Sequence, residues 1–299
     1  MPSLADLVQL VRAPAALSVP GDVVAGAAAA GALDRRVPGL AGASVLLYWG
    51  GMAANDWADR ELDARERPER PIPSGRISPG LALGVSAGLT AAGVALAGLT
   101  GGRRALAAAV PLAGAIWAYD LVAKNTAAGP AVMAACRGLD VLLGASQGRP
   151  SRAVPAALTV AAHTYTVTAL SRREVSGASR ALPAATLAGT AAVAAAAVAG
   201  RTGRDLAAGA APSSRVPGWR ALVPAALAGW YGLQYGTAQA RVAADPRAAR
   251  VRAAVGAGIT GLPALQGALV ARAGAAVLGV AVAAAAPLGR RLARKVSPT

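Results

Sequence analysis

The 299-residue sequence has no phenylalanine, one cysteine, one histidine and only two lysines. A single cysteine excludes an intramolecular disulfide. Charged residues are also scarce, at 15% of the chain, where soluble proteins carry about 25%. Hydrophobic residues make up 55% of the chain. The shortage of charge excludes an ordinary soluble domain and predicts an integral membrane protein.

The charge that is present is mostly positive. Thirty basic residues stand against 14 acidic ones, which gives a net charge of +16. The arginines are scattered through short connectors and are not gathered into a patch with stacking aromatic residues, which disfavours nucleic-acid binding. Arginines that flank membrane spans meet lipid head groups, and this explains most of the excess. We expect the bilayer as a partner, no nucleic acid, and no obligate protein partner.

Long apolar runs organise the whole chain. Most approach the roughly 20 residues that an α-helix needs to cross the hydrocarbon core. The last part is ambiguous, because residues 251–270 contain Pro263 and Gln266 and could cross, enter or lie along the bilayer. We predict an all-α integral membrane protein, a bundle of about nine transmembrane helices (nine or ten), as a single domain over residues 1–299. The runs are 14–33, 40–58, 79–100, 104–122, 127–147, 153–170, 181–200, 219–240, 251–270 and 273–289.

The start of the chain and its connectors suggest an orientation. Apolar residues at helical spacing in residues 3–12 predict a short interfacial helix, and we expect no signal peptide. The basic residues of the connectors and of the tail (290–295) mildly favour a cytoplasmic N-terminus. We therefore expect a multi-pass protein of the cytoplasmic membrane. In this orientation, the connectors after the second, fourth and sixth runs lie on the cytoplasmic face.

The most charged stretch ends the second run. Asp56, Asp59 and Asp63 are spaced i, i+3 and i+7, so on a helix they point the same way, and Asn55 lies on the same face. Carboxylates that converge in this way repel one another unless a cation lies between them. Mg²⁺, with substrate phosphates completing its shell, is the usual solution. The alternative is a solvated helix end paired with neighbouring arginines.

Two other polar connectors are expected on the same face. One contains Tyr119 and Lys124, and the other contains Arg172, Arg173 and Glu174. Carboxylates for a metal, together with Lys and Arg for phosphate oxygens, indicate a diphosphate site. An apolar groove between the helices would hold a lipid tail.

Several polar residues fall inside apolar runs, where they are costly unless they are paired or face a polar cavity. Arg137 and Asp140, three residues apart, are predicted to line the catalytic cavity, with a structural ion pair as the alternative. His163 is placed in the same cavity, although a hydrogen-bonded packing role is the commoner one for a lone intramembrane histidine. Asp22 in the first run stays open between the cavity and the interface.

Two of these motifs match a known family. The run Asn55 to Asp63, followed by Arg-Pro-Ile-Pro-Ser-Gly-Arg-Ile-Ser at 70–78, resembles the first aspartate motif of the UbiA superfamily of membrane prenyltransferases. Tyr119 and Lys124 resemble the connector after that family's fourth helix. With the helix plan, the resemblance covers almost the whole chain. It implies an intramembrane, Mg²⁺-dependent transferase that moves a polyprenyl group from its diphosphate to a small-molecule or lipid acceptor.

The resemblance also implies a set of residue roles. The catalytic residues would be Asp56, Asp59, Lys124 and Glu174. The Mg²⁺ ligands would be Asn55, Asp56, Asp59, Asp63 and Glu174. The diphosphate would be bound by Asn55, Arg70, Lys124, Arg172 and Arg173. The cavity would be lined by Tyr119, Arg137, Asp140 and His163.

The third connector departs from the family pattern. Where the family usually has a second D-x-x-x-D, this chain has Ser171-Arg172-Arg173-Glu174, which resembles the EboC-like branch. Either one carboxylate and two arginines serve a second Mg²⁺ and the diphosphate, or the second site is lost. The alternative function is therefore a non-catalytic UbiA-like lipid-binding or transport-accessory membrane protein. A transporter would need an internal repeat, which the sequence does not show.

Overall fold

A computed structural model describes residues 2–199 and 218–284 of the chain. Every regular element in these residues is helical, as predicted. A 3₁₀ helix at Ala13–Ser18 and a π-helical segment at Tyr119–Ala123 join the α-helices, and a further helix begins at residue 276. The α-helices are α1 Leu4–Leu10, α2 Pro20–Ala30, α3 Val37–Ala58, α4 Arg60–Glu66, α5 Pro79–Ala118, α6 Gly129–Ala145, α7 Pro150–Ser171, α8 Ala181–Val198, α9 Gly218–Ala244 and α10 Ala248–Arg272.

Five helices of the described ranges are long and apolar enough to cross a membrane. They are α3, α5 with its π-helical continuation, α7, α8 and α10. The multi-span membrane fold is therefore confirmed, whereas the predicted count of about nine spans is not. The arginine-rich connector at 201–217, the end of the last predicted run and the basic tail at 290–295 lie outside the described residues.

The long helix α5 folds back on itself at Gly102. This residue has φ 61° and ψ −153°, a conformation that favours glycine. The indole of Trp117 donates a hydrogen bond to the Thr90 hydroxyl at 3.0 Å, although a straight helix would separate these residues by about 40 Å. The predicted runs 79–100 and 104–122 are the two legs of this hairpin.

The first predicted run, 14–33, is interrupted in the structure. Its beginning forms the 3₁₀ helix, and α2 starts only at Pro20. Proline has a fixed φ and no N–H, so it suits the first turn of a new helix. The interfacial helix predicted at 3–12 corresponds to α1, where the Ser3 hydroxyl accepts a hydrogen bond from the backbone N–H of Asp6.

Helices α2 and α6 contact each other backbone to backbone through glycine. A methyl group on Gly26 would lie 1.8 Å from the carbonyl oxygen of Val141, and one on Gly144 would lie 2.0 Å from the carbonyl oxygen of Val23. Both distances are far inside van der Waals contact, so only glycine fits at these two positions. The contact holds α6 against α2 at a fixed separation.

The connectors are sorted onto two faces of the bundle. On one face, the Arg172 side chain donates to the carbonyl oxygen of Thr126, which joins the connector after α7 to the one before α6. On the opposite face, the Gln147 amide donates to the carbonyl oxygen of Gly101 at 3.0 Å. The first face carries all three predicted motifs and is called the motif face. It comprises α1 and the connectors 59–78, 119–128 and 172–180.

Candidate active site

The acidic motif lies where α3 ends and α4 begins. The helix predicted across this stretch is interrupted at Asp59, which has φ −89° and ψ 4° and caps both helices. Helical hydrogen bonds nevertheless continue across the junction, from Asp59 N–H to the Asn55 carbonyl at 3.0 Å and from Asp63 N–H to the Asp59 carbonyl at 2.8 Å. The near-helical path keeps the motif carboxylates in one cluster.

Arg70 bridges the two buried carboxylates of the motif. Asp56 and Asp63 are 4% and 2% exposed. Nη1 of Arg70 lies 2.6 Å from Oδ2 of Asp63 and 3.3 Å from Oδ1 of Asp56. Buried carboxylates are costly unless they are paired. Arg70 therefore neutralises part of the negative charge of Asp56 and Asp63 and thereby stabilises the folded motif.

Lys124 connects the motif to the connector that follows α5. Its Nζ lies 2.6 Å from Oδ1 of Asp59 and donates a hydrogen bond to Oδ1 of Asn55 at 3.2 Å. Lys124 follows Asp59 by 65 positions and Asn55 by 69 positions in the chain. The structure thus brings together Asn55, Asp59 and Lys124, which the sequence had grouped by motif alone.

Arg12 is a cation of this site that the sequence analysis did not single out. Its guanidinium pairs with the carboxylate of Asp56. Its backbone has φ 44°, the single positive φ among the non-glycine residues that the structure describes. Such strained conformations persist where the surrounding structure imposes them, often at functional sites. The preceding helix α1 is fixed by Arg76, which contacts Asp6 at 2.6 Å and Gln9 at 2.9 Å.

A cavity of about 210 Å³ opens beside these ion pairs. Along α3, its lining runs from Asn55 at the motif face to Met52 and Tyr48 deeper in the bundle. Such a lining suits an amphiphile with an anionic head and an apolar tail. The lining residues are Arg12, Tyr48, Gly51, Met52, Asn55, Ile116, Tyr119, Asp120, Met133 and Cys136.

Asp120 is the second site residue that the sequence analysis did not single out. It lies in the π-helical segment, is 6% exposed and lines the cavity. A methyl group on Gly51 would lie 3.4 Å from its Oδ2, so the carboxylate packs against α3. Within the described residues it makes no hydrogen bond or ion pair. The positive charges of Lys124 and Arg12 act on it from beyond contact distance, so its oxygens are available to a ligand of the cavity.

Glu174, on the third connector, adjoins the motif only indirectly. Partial burial raises the pKa of its carboxyl, although the positive charges of Arg252 and Arg67 act in the opposite direction. Arg67 in turn lies 3.9 Å from Asp63. In the part of the chain that the structure describes, Glu174 makes no direct contact with the other predicted metal ligands.

Of the four residues predicted to line the cavity, Tyr119 is among its lining residues. Arg137 and Asp140 are placed behind the cavity. The Nε of Arg137 lies 2.8 Å from Oδ2 of Asp22, and Asp140 accepts a hydrogen bond from the Ser44 hydroxyl at 2.5 Å. Tyr48, which lines the cavity, has its ring centroid 5.5 Å from the Arg137 guanidinium.

His163 lies in a separate cluster between α7 and α9. Its Nδ1 is 2.9 Å from the hydroxyl of Tyr231, and its ring packs edge-on against Tyr231 and Tyr235. All three side chains are buried. The geometry is that of hydrogen-bonded packing, the alternative that the sequence left open for this residue.

The oxygen donors around the cavity suit Mg²⁺. Asn55, Asp56, Asp59 and Asp120 offer carboxylate and carboxamide oxygens, which are the ligands of hard divalent cations. Among the residues that the structure describes, no three His, Cys, Asp or Glu side chains are close enough to hold a metal ion by themselves. Mg²⁺ is commonly held by one or two carboxylates plus substrate phosphates. The donor set therefore fits an ion that binds together with a diphosphate.

Several sequence relatives share parts of this chain. A digeranylgeranylglyceryl phosphate synthase from Methanothrix thermoacetophila is 58% identical over 57 residues, 19% of this chain and 21% of the relative. One from Halobacterium salinarum is 36% identical over 149 residues, 47% of this chain and 52% of the relative. The chain thus spans from a fifth to about half of the length of these curated relatives. They do not confirm the EboC-like branch.

Solved structures and a family model agree on the wider classification. A chain from a study of digeranylgeranylglyceryl phosphate synthase in membranes matches with a TM-score of 0.65 and 16% identity, covering 90% of this chain and 98% of that one. The apo structure of a UbiA homolog from Aeropyrum pernix K1 gives 0.62 and 18%, covering 88% and 96%. These likenesses concern the fold. The UbiA prenyltransferase family model matches residues 18–248, well over half of the sequence. The chain therefore belongs to the UbiA prenyltransferase family.

Proposed function

We propose that this protein is a Mg²⁺-dependent prenyltransferase that acts inside the membrane. The observation that carries the proposal is the cavity, which joins the charged motif face to apolar walls formed by Met52, Ile116 and Met133. A prenyl diphosphate has the same division between an anionic head and an apolar chain. Family membership supports the reaction type, and nothing in the geometry favours the non-catalytic alternative.

The diphosphate head would bind where Arg12, Arg70 and Lys124 meet the motif carboxylates. Asn55, Asp56 and Asp59 would hold Mg²⁺, with Asp63 fixing Arg70 and Asp120 adding a further oxygen donor. Bound Mg²⁺ would neutralise charge that develops on the departing diphosphate. The protein cations, now paired with carboxylates, would turn to the phosphate oxygens as the substrate binds. Charge-assisted hydrogen bonds of this kind are strong and become stronger as charge develops.

The transfer breaks the bond between C1 of the prenyl group and its diphosphate oxygen. A new bond then forms between C1 and the acceptor, whose hydroxyl proton leaves with the diphosphate. The apolar cavity walls exclude water, which would otherwise capture the reactive carbon. Tyr48 and Tyr119 line the cavity, and an aromatic face turned towards C1 would stabilise positive charge that develops there.

The names of the relatives suggest the acceptor class. Digeranylgeranylglyceryl phosphate is a glyceryl phosphate that carries two geranylgeranyl groups. The proposed acceptor is accordingly a glyceryl phosphate that already carries one such chain, and the proposed donor is geranylgeranyl diphosphate. We place the motif face on the cytoplasmic side of the cytoplasmic membrane and treat residues 1–299 as one domain.

The test is a transfer assay with the full chain in lipid nanodiscs. The purified protein is incubated with radiolabelled geranylgeranyl diphosphate, MgCl₂ and geranylgeranylglyceryl phosphate. The expected result is label in a lipid product, lost when EDTA removes the metal and restored by Mg²⁺. If the protein binds the prenyl diphosphate but transfers the prenyl group to no acceptor, not even to added geranylgeraniol, the lipid-binding alternative is supported.

A further inference from the structure

The two halves of the motif face carry different charge. The acidic half consists of the motif at 55–63 with three cations, Arg12, Arg70 and Lys124. Each of these cations contacts a carboxylate. The other half, called the arginine half, is the connector at 172–180. Within the described ranges its Arg172 and Arg173 contact no carboxylate, and Glu174 is the only acidic residue of this connector. The second half therefore presents positive charge that the protein itself does not neutralise.

Arg172 is fixed at the edge of the cavity. Its Nη1 donates to the carbonyl oxygen of Thr126, two residues beyond Lys124, and would lie 3.3 Å from a methyl group on Gly129. It is also close enough for its charge to act on Tyr119, which lines the cavity. One backbone contact uses only part of the guanidinium fork, and the side chain is exposed. The remaining N–H groups are free for a ligand that approaches the cavity.

We expect lipid head groups to bind arginines elsewhere on this protein, but Arg172 is placed differently. Arg149 and Arg152 lie at the start of α7 on the opposite face, away from the cavity. Arg172 is held by the backbone of a neighbouring connector on the motif face, close to the cavity-lining residue Tyr119. The diphosphate already has three cations in the acidic half. The arginine half is therefore suited to a second anionic group.

We propose that Arg172, assisted by Arg173, binds a phosphate group on the acceptor substrate. This inference rests on the proposed function and adds the way in which the acceptor is recognised. An arginine fork matches phosphate oxygens with two parallel hydrogen bonds. Anchored there, the phosphate holds the acceptor hydroxyl towards C1 of the prenyl group.

The experiment compares two acceptors that differ only in the phosphate. Transfer is measured in phospholipid-free detergent micelles with geranylgeranylglyceryl phosphate and with its dephosphorylated alcohol. For Arg172→Gln, the KM for the phosphorylated acceptor is expected to rise about tenfold or more, from the loss of charged hydrogen bonds. The preference for the phosphorylated acceptor over the alcohol, measured as the ratio of their kcat/KM values, should fall by the same factor. Arg172→Lys, which keeps the charge but loses the fork, should recover part of the preference.

Arg180→Gln is the matched control, because Arg180 is an exposed arginine at the far end of the same connector. It should leave the preference for the phosphorylated acceptor intact. A raised KM for the prenyl diphosphate in Arg172→Gln would assign Arg172 to the diphosphate and overturn the proposal. An equal loss with both acceptors would assign it a structural role. A loss seen in nanodiscs of anionic phospholipid but absent in micelles would assign it to the bilayer.

Equilibrium binding of radiolabelled geranylgeranylglyceryl phosphate separates this inference from the transferase proposal. Weaker binding by Arg172→Gln than by wild type, in a protein that shows no transfer, would support the phosphate site and contradict only the transferase reaction. Equal binding by the two proteins would overturn the phosphate site even if transfer occurs.

Discussion

The acidic motif and the inner network (Asp22, Ser44, Arg137, Asp140 and Gln266) use the same chemistry in different places. Both bury carboxylates beside an arginine. In the motif, Arg70 comes from a connector and the carboxylates stand beside a cavity. In the inner network, Asp22 is held from two further elements, by Arg137 at 2.8 Å and by the Gln266 amide at 2.6 Å.

Placement decides what each set of charges can do. Side chains on a connector beside a cavity can exchange their partners when an anionic ligand enters. Side chains that come from four packed helices and stand outside the cavity lining connect the helices to one another and fix them in register. The comparison therefore separates a group of charges with a proposed role in binding from one that holds helices together, and variants in each group should have opposite consequences.

The largest effect is expected for Asp56→Asn. Loss of this carboxylate removes a proposed Mg²⁺ ligand, and we expect transfer activity to fall about a hundredfold or more. The thermal unfolding midpoint should change little, because asparagine still accepts hydrogen bonds from Arg12 and Arg70. The radiolabel transfer assay and a thermal melt measure the two quantities. Glu61→Gln, an exposed acid of α4, is the control and should keep wild-type turnover.

Arg137→Met should show the reverse pattern, with stability affected first. It leaves Asp22 and Asp140 buried without their shared cation, which typically destabilises a protein by about 3–5 kcal/mol. Denaturant titration in detergent measures the change. Adding Asp22→Asn should restore part of the loss, because it removes the charge of the carboxylate that contacts Arg137. If the single variant melts like wild type and loses only activity, the inner network belongs to catalysis and the comparison fails.

Lys124→Gln should weaken the donor site without unfolding the protein. Its partner Asp59 is partly exposed and can be hydrated when the lysine is removed. We expect the KM for the prenyl diphosphate to rise about tenfold, from one lost charged hydrogen bond. Lys124→Arg keeps the charge and should recover part of the affinity. An unchanged KM for Lys124→Gln would remove this residue from the diphosphate site.

Glu174→Gln should have the smallest effect, mainly on the pH dependence of stability. The pKa of Glu174 is raised above its usual value of 4.5 by partial burial, so folding favours the protonated form. This contribution is fully present below pH 4.5 and is lost as the pH rises through the raised pKa. The glutamine variant should lack this loss in melts recorded across that range. A higher Mg²⁺ requirement for turnover would instead identify Glu174 as a ligand of a second ion.

The sequence predicted those parts of the site that depend on local spacing. Asp56, Asp59 and Asp63 share a face because of helical periodicity, and the hairpin in α5 follows from Gly101-Gly102. Helical spacing and glycine content are properties of short segments. They are therefore readable without a structure.

Contacts between distant segments could not be predicted in this way. Arg12 contacts Asp56, which lies 44 positions further along the chain. This contact depends on a left-handed backbone conformation at Arg12, which no sequence pattern predicted. Asp120 lies in a π-helical turn, whose extra residue shifts the side-chain register away from the α-helical one. Arg137 was considered as a partner of the nearby Asp140, but its carboxylate partner at 2.8 Å is Asp22, contributed by another helix.

The glycine contact between α2 and α6 limits which glycines of this alanine-rich chain can mutate to alanine. At Gly84 and Gly88, an added methyl group would meet nothing within 4 Å, so a mutation to alanine is neutral for packing. At Gly26 and Gly144, the same mutation would push two backbones apart. Helix α6 carries Met133 and Cys136 of the cavity lining. The width of the cavity therefore depends on the absence of a side chain at Gly26 and Gly144.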